Sequence, residues 1–544
     1  MSGVTVADAV ADELALAGVD RAFGLPGGEV LHLLDAMRRR GIPFTLCRHE
    51  ASAGIAAAVY GKLKGTAGIC VTTLGPGASN LLFPIADSLL DREPLVAISA
   101  QLPDSYPAGH THQRVPLLEV FGPVTKLAAA VRPGAARQAV RAAVRAAVTE
   151  PLGPAYLTLS AEDARADATG DESSELPPPQ PSPWGRGSSS ELPAPQPSPW
   201  GRGSAASLTQ RLARSERPLV LVGLGTRWGT APLIRKWLEA WGLPHGVTPK
   251  AKGMVDETGP GFVGVFGGMA IDGVMLDALA AADLVVGWGL DPVEIDKTWH
   301  ATTEIAWMLE SPCATGYVPE GARLVSHEAL LEELTAQPAP RAWANAFAAQ
   351  QARRRDIYEA GHDSLRPTGV VAAVAAGSPP GTVVTTDVSS HKFVFGQFWP
   401  SREPAGFWMS NGLSGMGYGL PAAIGAKLAR PDLPVLAVMG DGGFAMMSQE
   451  LETARRAGAP LVAVVLADRS LSLIRIGQEN RGLPNYGVDF EPIDSVLVAR
   501  AAGVDGLRVE SADALIAAVR AAFAAGRTTV IEVPIDADDY RGIV

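Results

Sequence analysis

The chain has 544 residues, 47% of them apolar, and a net charge of 46 − 57 = −11, which suits about three domains of ordinary size. Because no long basic run offsets the acidic balance, we do not expect nucleic acid as a partner. Three scattered cysteines argue against a disulfide framework or a zinc site. The N-terminus lacks the pattern of a signal peptide, and no stretch approaches the roughly 20 apolar residues of a membrane span, so we expect a cytoplasmic protein.

Apolar, strand-like runs alternate with helical stretches along most of the sequence. This pattern is typical of α/β domains with parallel sheets. The clearest runs are 68–73, 94–99, 218–222, 284–287, 382–386 and 530–533.

One segment interrupts the alternation. Residues 173–188 read SSELPPPQPSPWGRGS and residues 189–204 read SSELPAPQPSPWGRGS, a tandem copy with one difference. So much proline prevents strand pairing and helix propagation, which predicts a linker over 169–204. We therefore expect an N-terminal domain at 1–168 and a middle domain at 205–337. After Pro338 and Pro340, a C-terminal domain at 341–544 completes the chain.

The N-terminal domain carries three polar features at the ends of predicted strands. Glu50 follows the run 44–47 and opens a helix of small residues, where a carboxylate on its own merely complements the helix dipole. The turn at 72–80 contains Gly75 and Gly77 around a proline, which either makes a tight turn or lets a ligand approach closely. The loop at 109–113 holds two histidines, and such loop histidines are usually solvated.

In the C-terminal domain, acidic residues end two consecutive strand-like runs. Gly440-Asp441-Gly442-Gly443 follows the run 434–439, and Asp468 follows the run 460–466. The spacing of apolar residues predicts one helix over 445–456, between the two runs. The carboxyl ends of parallel strands form one edge of a sheet, where ligands bind. Two carboxylates beside a glycine turn that opens a helix suit a divalent metal holding a diphosphate, although an isolated aspartate there is often only a helix cap.

Five segments together resemble the thiamine diphosphate-dependent enzymes of the acetolactate synthase type. They are FGLPGGEVLHLLDAM at 23–37, RHE at 48–50, TLGPGASN at 73–80, GLSGMGYGLPAA at 412–423 and GDGGFAMMSQELETA at 440–454. The resemblance covers the whole chain except the proline-rich repeat. It implies an α/β fold of three doubly wound domains with parallel sheets: a pyrimidine-binding N-terminal domain, a middle domain and a diphosphate-binding C-terminal domain.

The resemblance also implies roles for individual residues. Glu50 matches the glutamate that hydrogen-bonds the aminopyrimidine and promotes its imino tautomer. Asp441, Asp468 and the backbone carbonyl of Ser470 match the Mg²⁺ ligands, with Asp468 standing where the family usually has asparagine. Met416 matches the bulky residue that bends the cofactor. The remaining implied contacts with cofactor or substrate are Gly75, Ser390, His391, Gly440, Gly442, Gly443, His112 and Gln113.

The expected reaction is decarboxylation of a 2-oxo acid, with pyruvate as the expected donor, and ligation to a second carbonyl compound. Two alternatives stay open: a decarboxylase or other lyase that does not ligate, and a carboligase of the carboxyethylarginine synthase type, suggested by His112 before Gln113. Family architecture implies a homodimer or homotetramer with Glu50 and Asp441 acting from different subunits. Many acetolactate synthases bind FAD through an arginine in the middle-domain turn that matches 289–294, and this chain lacks that arginine, so FAD is doubtful.

Overall fold

The computed structural model describes residues 3–107, 109–168, 205–267, 272–294, 303–343, 345–491 and 493–543. In these ranges the chain forms three six-stranded sheets flanked by helices. All pairs of neighbouring strands in the sheets are parallel. The expected α/β class with three parallel-sheet domains is confirmed, while the predicted linker at 169–204 lies outside the described residues.

The N-terminal sheet has the order β2-β1-β3-β4-β6-β5. Its strands are β1 Ala22–Leu25, β2 Phe44–Leu46, β3 Gly68–Thr72, β4 Leu95–Gln101, β5 Leu127–Ala130 and β6 Ala155–Ser160. Its helices are α1 Val6–Leu16, α2 Leu31–Arg39, α3 Glu50–Lys64, α4 Pro76–Ser79, α5 Leu82–Leu90, α6 Leu117–Phe121, α7 Ala136–Val148 and α8 Ala161–Arg165. The central strand β3 is buried along its whole length because helices cover both faces of the sheet.

The middle sheet has the order β12-β11-β10-β7-β8-β9. Its strands are β7 Pro218–Val222, β8 His245–Val247, β9 Phe262–Val265, β10 Leu284–Trp288, β11 Ile305–Leu309 and β12 Arg323–Leu324. Its helices are α9 Ala205–Arg214, α10 Ala231–Trp241, α11 Gly273–Ala281 and α12 His327–Thr335.

The C-terminal sheet has the order β14-β13-β15-β16-β18-β17, which repeats the order of the N-terminal sheet. Its strands are β13 Val383–Thr386, β14 Phe407–Met409, β15 Val435–Gly440, β16 Val462–Ala467, β17 Asp505–Arg508 and β18 Thr529–Pro534. The helices of this part are α13 Ala348–Glu359, α14 Pro367–Gly377, α15 Ser390–Phe398, α16 Gly419–Ala429, α17 Asp441–Met447, α18 Glu450–Arg456, α19 Ser472–Glu479, α20 Ser495–Ala501 and α21 Ala512–Ala525.

The helix after β15 differs from the sequence pattern, which predicts one helix over 445–456. Helix α17 begins at Asp441 itself, and Ser448 and Gln449 separate it from α18. An aspartate at the first helical position is stabilised by the helix dipole, and this outweighs the turn preference of the two glycines that follow. The Asp441 carboxylate therefore lies at a helix N-terminus as well as at a strand end.

The N- and C-terminal domains of the chain meet along helices α3 and α16. Both helices are rich in alanine and glycine, which lets their backbones come close together. A Cβ atom at Gly425 of α16 would lie 2.4 Å from the carbonyl oxygen of Ala56 in α3, so only glycine fits there. No helix in the described ranges is long and apolar enough to cross a membrane.

Candidate active site

Glu50 is the first residue of α3, and its side chain is buried in the N-terminal domain. It is 6% exposed, and Asn80 donates a hydrogen bond of 2.8 Å from Nδ2 to its Oε2. A Cβ at Gly77 would lie 3.2 Å from its Oε1, so glycine keeps the space beside that oxygen open. Asn80 thus orients the carboxylate, and the missing side chain at Gly77 leaves its Oε1 accessible.

The loop that carries Gln113 reaches the same turn. A Cβ at Gly75 would lie 3.0 Å from the Cβ of Gln113, and Gly75 has φ 59. Gln113 also has a positive φ of 55, and both Gln113 and His112 are exposed. The structure therefore brings Gln113 to the glycine turn that borders Glu50 and leaves His112 on the surface of the same loop.

Asp441 and Asp468 lie at adjacent strand ends in the C-terminal domain, since β15 pairs with β16. Asp441 Oδ2 accepts the backbone N–H of Arg469 at 2.8 Å, and its Oδ1 accepts the N–H of Gly442 at 2.9 Å. Asp468 Oδ1 accepts the N–H of Ser470 at 3.1 Å. These hydrogen bonds fix two carboxylates at one edge of the sheet, as the sequence pattern predicts.

The electrostatics of this pair favour a cation. Burial raises the pKa of Asp468 to about 6, and the neighbouring Asp441 carboxylate adds to the rise. Burial also raises the pKa of Asp441. Two partly desolvated like charges are costly, and a divalent cation offsets that cost. No group of three or more His, Cys, Asp or Glu side chains within the described residues could hold a metal, so the other ligands would be backbone, phosphate or water oxygens.

A short chain of hydroxyl groups connects this edge to helix α15. Ser390 Oγ and Ser472 Oγ are 2.8 Å apart, and the Ser472 side chain hydrogen-bonds Asp468, which lowers the pKa of that carboxyl. Ser470 is buried and donates from Oγ to the carbonyl oxygen of Val488 at 3.3 Å. Ser390 is thus placed beside the acidic pair.

His391 presents a buried ring nitrogen to the glycine turn. The residue is 2% exposed, and its Nε2 has no hydrogen-bond partner among the residues that the structure describes. A Cβ at Gly440 would lie 3.3 Å from its Cε1. Burial lowers the pKa of His391 to about 3. A neutral imidazole with this buried Nε2, next to a helix N-terminus and bare glycine amides, fits a phosphate group, which would accept hydrogen bonds there.

Met416 lies across the start of helix α17. Its Cε would be 3.6 Å from a Cβ placed at Gly442. The next residue, Gly417, donates its N–H to both carboxylate oxygens of Asp387, at 2.8 and 3.1 Å. Asp387 is fully buried at the end of β13, and it fixes the loop that positions Met416.

The buried amine of Lys392, in helix α15, also holds the loop that carries Met416. Lys392 is 2% exposed and donates to the carbonyl oxygen of Ser410 at 2.8 Å and to Ser414 Oγ at 3.2 Å. Burial lowers the pKa of Lys392 to about 8. Ser414 has φ 54, a left-handed conformation that favours glycine. The loop is therefore held in one conformation by contacts from α15 and β13.

Sequence reasoning did not assign roles to Asn80, Asp387, Lys392 or Glu450. Asn80 and Glu450 lie inside the quoted segments, and their partners identify them only in three dimensions. The Glu450 carboxylate accepts the backbone N–H groups of Arg48 and His49. Asp387 directly follows strand β13, and Lys392 is the third residue of α15. A charged residue beside a strand-like run could have signalled a buried structural role.

Comparison with protein-family models matches all three parts of the chain. Residues 4–119 match the N-terminal TPP binding domain of thiamine pyrophosphate enzymes, residues 205–307 match the central domain, and residues 387–533 match the C-terminal TPP binding domain. TPP is thiamine pyrophosphate, the same compound as thiamine diphosphate. The matched regions contain Glu50, Gln113, His391, Met416, Asp441 and Asp468.

Curated relatives are similar over almost the whole chain. The catabolic acetolactate synthase of Raoultella terrigena is 30% identical over 98% of this chain and 95% of the relative. Isozyme 2 large subunit of the Escherichia coli acetolactate synthase is 29% identical over 97% of this chain. The acetolactate synthase of Bacillus subtilis is 28% identical over 98% of it.

We call Glu50 with its neighbours the N-terminal half-site, and Asp441 and Asp468 with theirs the C-terminal half-site. The fold and the two half-sites therefore define a thiamine diphosphate-dependent enzyme that catalyses decarboxylation or carboligation. The chain belongs to the acetolactate synthase-like family of these enzymes.

Proposed function

We propose that the protein decarboxylates a 2-oxo acid, with pyruvate as the donor, and ligates the product to a second carbonyl compound, using thiamine diphosphate and Mg²⁺. The observation that carries this proposal is the Glu50 carboxylate, buried and oriented by Asn80 beside the open turn at Gly77. The three relatives described above are acetolactate synthases, which supports ligation over simple decarboxylation.

The C-terminal domain supplies the groups that would hold the cofactor. Asp441, Asp468 and the Ser470 carbonyl would bind Mg²⁺. The amides of the glycine turn, with His391 and Ser390, would hold the diphosphate, and Met416 would support the bend between the two rings. We also propose that Gly75, Gly440, Gly442 and Gly443 contact the cofactor.

When bound, thiamine diphosphate would supply an acidic thiazolium C–H, a nucleophilic carbon once that proton is removed, and a ring that acts as an electron sink. Glu50 would hold a proton at the pyrimidine ring, because its Oε2 is fixed by Asn80 while Oε1 faces free space. Gln113 would contact the substrate from the glycine turn. His112, exposed on the same loop, would exchange protons with the substrate.

We infer that Glu50 of one subunit serves Asp441 of another. Within one chain, the start of α3 contacts Glu450, which lies 450 − 441 = 9 residues beyond Asp441. The family architecture that the sequence resembles supports this inference, because there the pyrimidine-binding domain of one subunit and the diphosphate-binding domain of another form one site.

Exposed apolar side chains support the same assembly. Leu31 is 58% exposed and Leu82 is 44% exposed beside the N-terminal half-site. Met446 is 49% exposed and Ile474 is 52% exposed beside the C-terminal half-site. Such side chains around both half-sites fit coverage by another copy in a homodimer or homotetramer.

The domain boundaries that we propose are 1–168, 205–337 and 341–544. They are supported by the three sheets and by the three family-model matches, which fall inside these ranges.

The test is a panel of 2-oxo acids incubated with purified protein, thiamine diphosphate and Mg²⁺, with carbon dioxide and products measured by mass. We expect an acetohydroxy acid or acyloin from pyruvate, in proportion to carbon dioxide. Release of carbon dioxide with aldehyde alone would contradict ligation. Absence of carbon dioxide from every 2-oxo acid would contradict the proposal as a whole.

A further inference from the structure

The middle domain has the strand order of a dinucleotide-binding fold. Strand β7 comes first in the chain and lies in the centre, β8 and β9 follow on one side, and β10 to β12 on the other. In such sheets a dinucleotide binds outside the carboxyl ends of the strands, where the order reverses, with its diphosphate on a glycine-rich turn. Here that point is the crevice between β7 and β10. It is the place where the family fold implies FAD.

The backbone closes this crevice. Gly225 after β7 donates its N–H to the carbonyl oxygen of Gly289 after β10 at 2.8 Å, and Gly223 donates to Trp288 at 2.9 Å. A Cβ at Gly223 would lie 2.6 Å from the Cα of Leu290. The two glycine turns therefore pack directly against each other, and no diphosphate fits between them.

An internal carboxylate takes the hydrogen-bond donors of the turn. Glu294 is 3% exposed. Its Oε2 accepts the N–H of Leu224 at 2.7 Å and the hydroxyl of Thr248 at 2.7 Å, and its Oε1 accepts the N–H of Lys250 at 3.2 Å. These donors would otherwise face an anionic ligand. Glu294 therefore occupies the donors that a diphosphate would need.

Arg92 of the N-terminal domain seals the mouth of the crevice. Its Nε and Nη2 donate to Asp291 Oδ2 at 3.1 and 2.8 Å, and Nη2 also donates to the carbonyl oxygen of Pro312 at 3.0 Å. The two side chains are 4% and 2% exposed. A Cβ at Gly225 would lie 3.2 Å from its Nη1. Arg92 has φ 51, a strained conformation that persists only where its surroundings impose it.

We propose that the chain itself fills this crevice. Glu294 takes the place of a diphosphate, and Arg92 of the neighbouring N-terminal domain closes the crevice through its ion pair with Asp291. The middle domain then binds no FAD or other dinucleotide, and the site serves to fix the N-terminal domain to the middle domain. This role goes beyond the proposed function and is independent of catalysis.

The binding arm uses the purified full-length protein saturated with thiamine diphosphate and Mg²⁺, so that the catalytic site is occupied. We expect no flavin absorbance in the protein as isolated. In equilibrium dialysis with FAD, NAD or ADP, we expect less than one-tenth equivalent bound per chain at about 100 μM ligand. One equivalent of FAD bound per chain at a micromolar dissociation constant would overturn the proposal.

The stability arm compares Arg92→Ala with Arg38→Ala. Both arginines form ion pairs of similar length, 2.8 Å to Asp291 and 2.9 Å to Asp35, but the Arg38 side chain is 74% exposed. We expect Arg92→Ala to lower the Tm by about 5 °C or more and Arg38→Ala to leave it within about 1 °C. If Arg92→Ala gives no folded protein, Arg92→Lys is measured, and its loss of the planar fork should still lower the Tm. An unchanged Tm in the folded Arg92 variant would contradict the proposal that Arg92 fixes the N-terminal domain to the middle domain.

Discussion

The Glu450 carboxylate accepts the backbone N–H of His49 at 3.1 Å, although 401 residues separate the two in the chain. The same Oε1 accepts the N–H of Arg48 at 3.0 Å. Glu450 is fully buried on α18, and His49 is the N-cap of α3, whose first residue is Glu50. The C-terminal domain thus fixes the helix end that presents the proposed proton-holding carboxylate.

Replacement of Glu450 by alanine should therefore affect both stability and catalysis. It leaves two backbone N–H groups without their acceptor, a loss of roughly 2–4 kcal/mol in the free energy of unfolding. Glu450→Gln keeps an acceptor oxygen and should recover part of it. The control is Glu452→Ala on the same helix, which removes partly exposed ion pairs with Arg48 and Arg456 and should cost about 1 kcal/mol or less. Denaturant unfolding and kcat of the three variants check this, and equal losses for Glu450→Ala and Glu452→Ala would count against it.

The two aspartates of the proposed metal site should not respond equally to substitution. Asp441→Ala removes a ligand that the backbone of Arg469 and Gly442 orients, and we expect the affinity for Mg²⁺ and thiamine diphosphate to fall by about 100-fold or more. Asp468→Asn keeps an oxygen at the same position and should change affinity by about tenfold or less. Calorimetric titration of each variant measures both values. A larger loss in Asp468→Asn than in Asp441→Ala would refute this assignment of ligands.

A site shared between subunits predicts complementation between inactive variants. In a heterodimer of Glu50→Gln and Asp441→Ala chains, one site receives both defects and the other receives neither. Random pairing from an equal mixture should restore about a quarter of wild-type activity, since half the dimers are mixed and half of their sites are intact. Activity of unfolded and refolded mixtures, compared with each variant refolded alone, measures this. If the mixture stays as inactive as its components, the two residues act within one chain.

Buried histidine in the middle domain predicts a loss of stability in acid. Burial lowers the pKa of His327 to about 4, from its ordinary 6.5. Between these values the unfolded chain binds a proton that the folded chain does not, so the stability is complete above about pH 6.5 and declines as the pH falls. The loss reaches up to about 2 kcal/mol near pH 5, reduced by attraction of the protonated ring to Glu310, 3.8 Å from its Nδ1.

His327→Gln should flatten this dependence, while His32→Gln, on the exposed surface, should leave it unchanged. Urea unfolding at about pH 7 and pH 5 compares the three proteins. Identical pH dependence in wild type and His327→Gln would show that His327 makes no contribution.

The strand ends of the catalytic half-sites follow from sequence periodicity, because fully apolar runs of five or six residues bounded by glycine and acidic residues identify buried parallel strands. Asp441 and Asp468 could be placed together on that basis alone. The sequence pattern places Glu50 at a helix start, but it does not identify Asn80 as the hydrogen-bond partner of its carboxylate.

What escaped prediction depends on contacts between distant segments. The hydrogen bonds of Glu450 to α3, of Asp387 to Gly417 and of Arg92 to Asp291 join residues 30 to 402 positions apart. No local pattern encodes such pairs. The break between α17 and α18 was missed for a different reason, since Ser448 and Gln449 are neither proline nor glycine and carry no strong stop signal.

The central claim is that Glu50 activates thiamine diphosphate bound by this protein, and hydrogen–deuterium exchange at the thiazolium carbon tests it most directly. The measurement needs no substrate, only wild type and Glu50→Gln, both saturated with thiamine diphosphate and Mg²⁺ and quenched at set times for NMR. We predict exchange at least about 100-fold faster in wild type than in Glu50→Gln, in line with the contribution of a positioned proton-transfer group. Equal exchange rates in the two proteins, with the cofactor bound in both, would contradict the account.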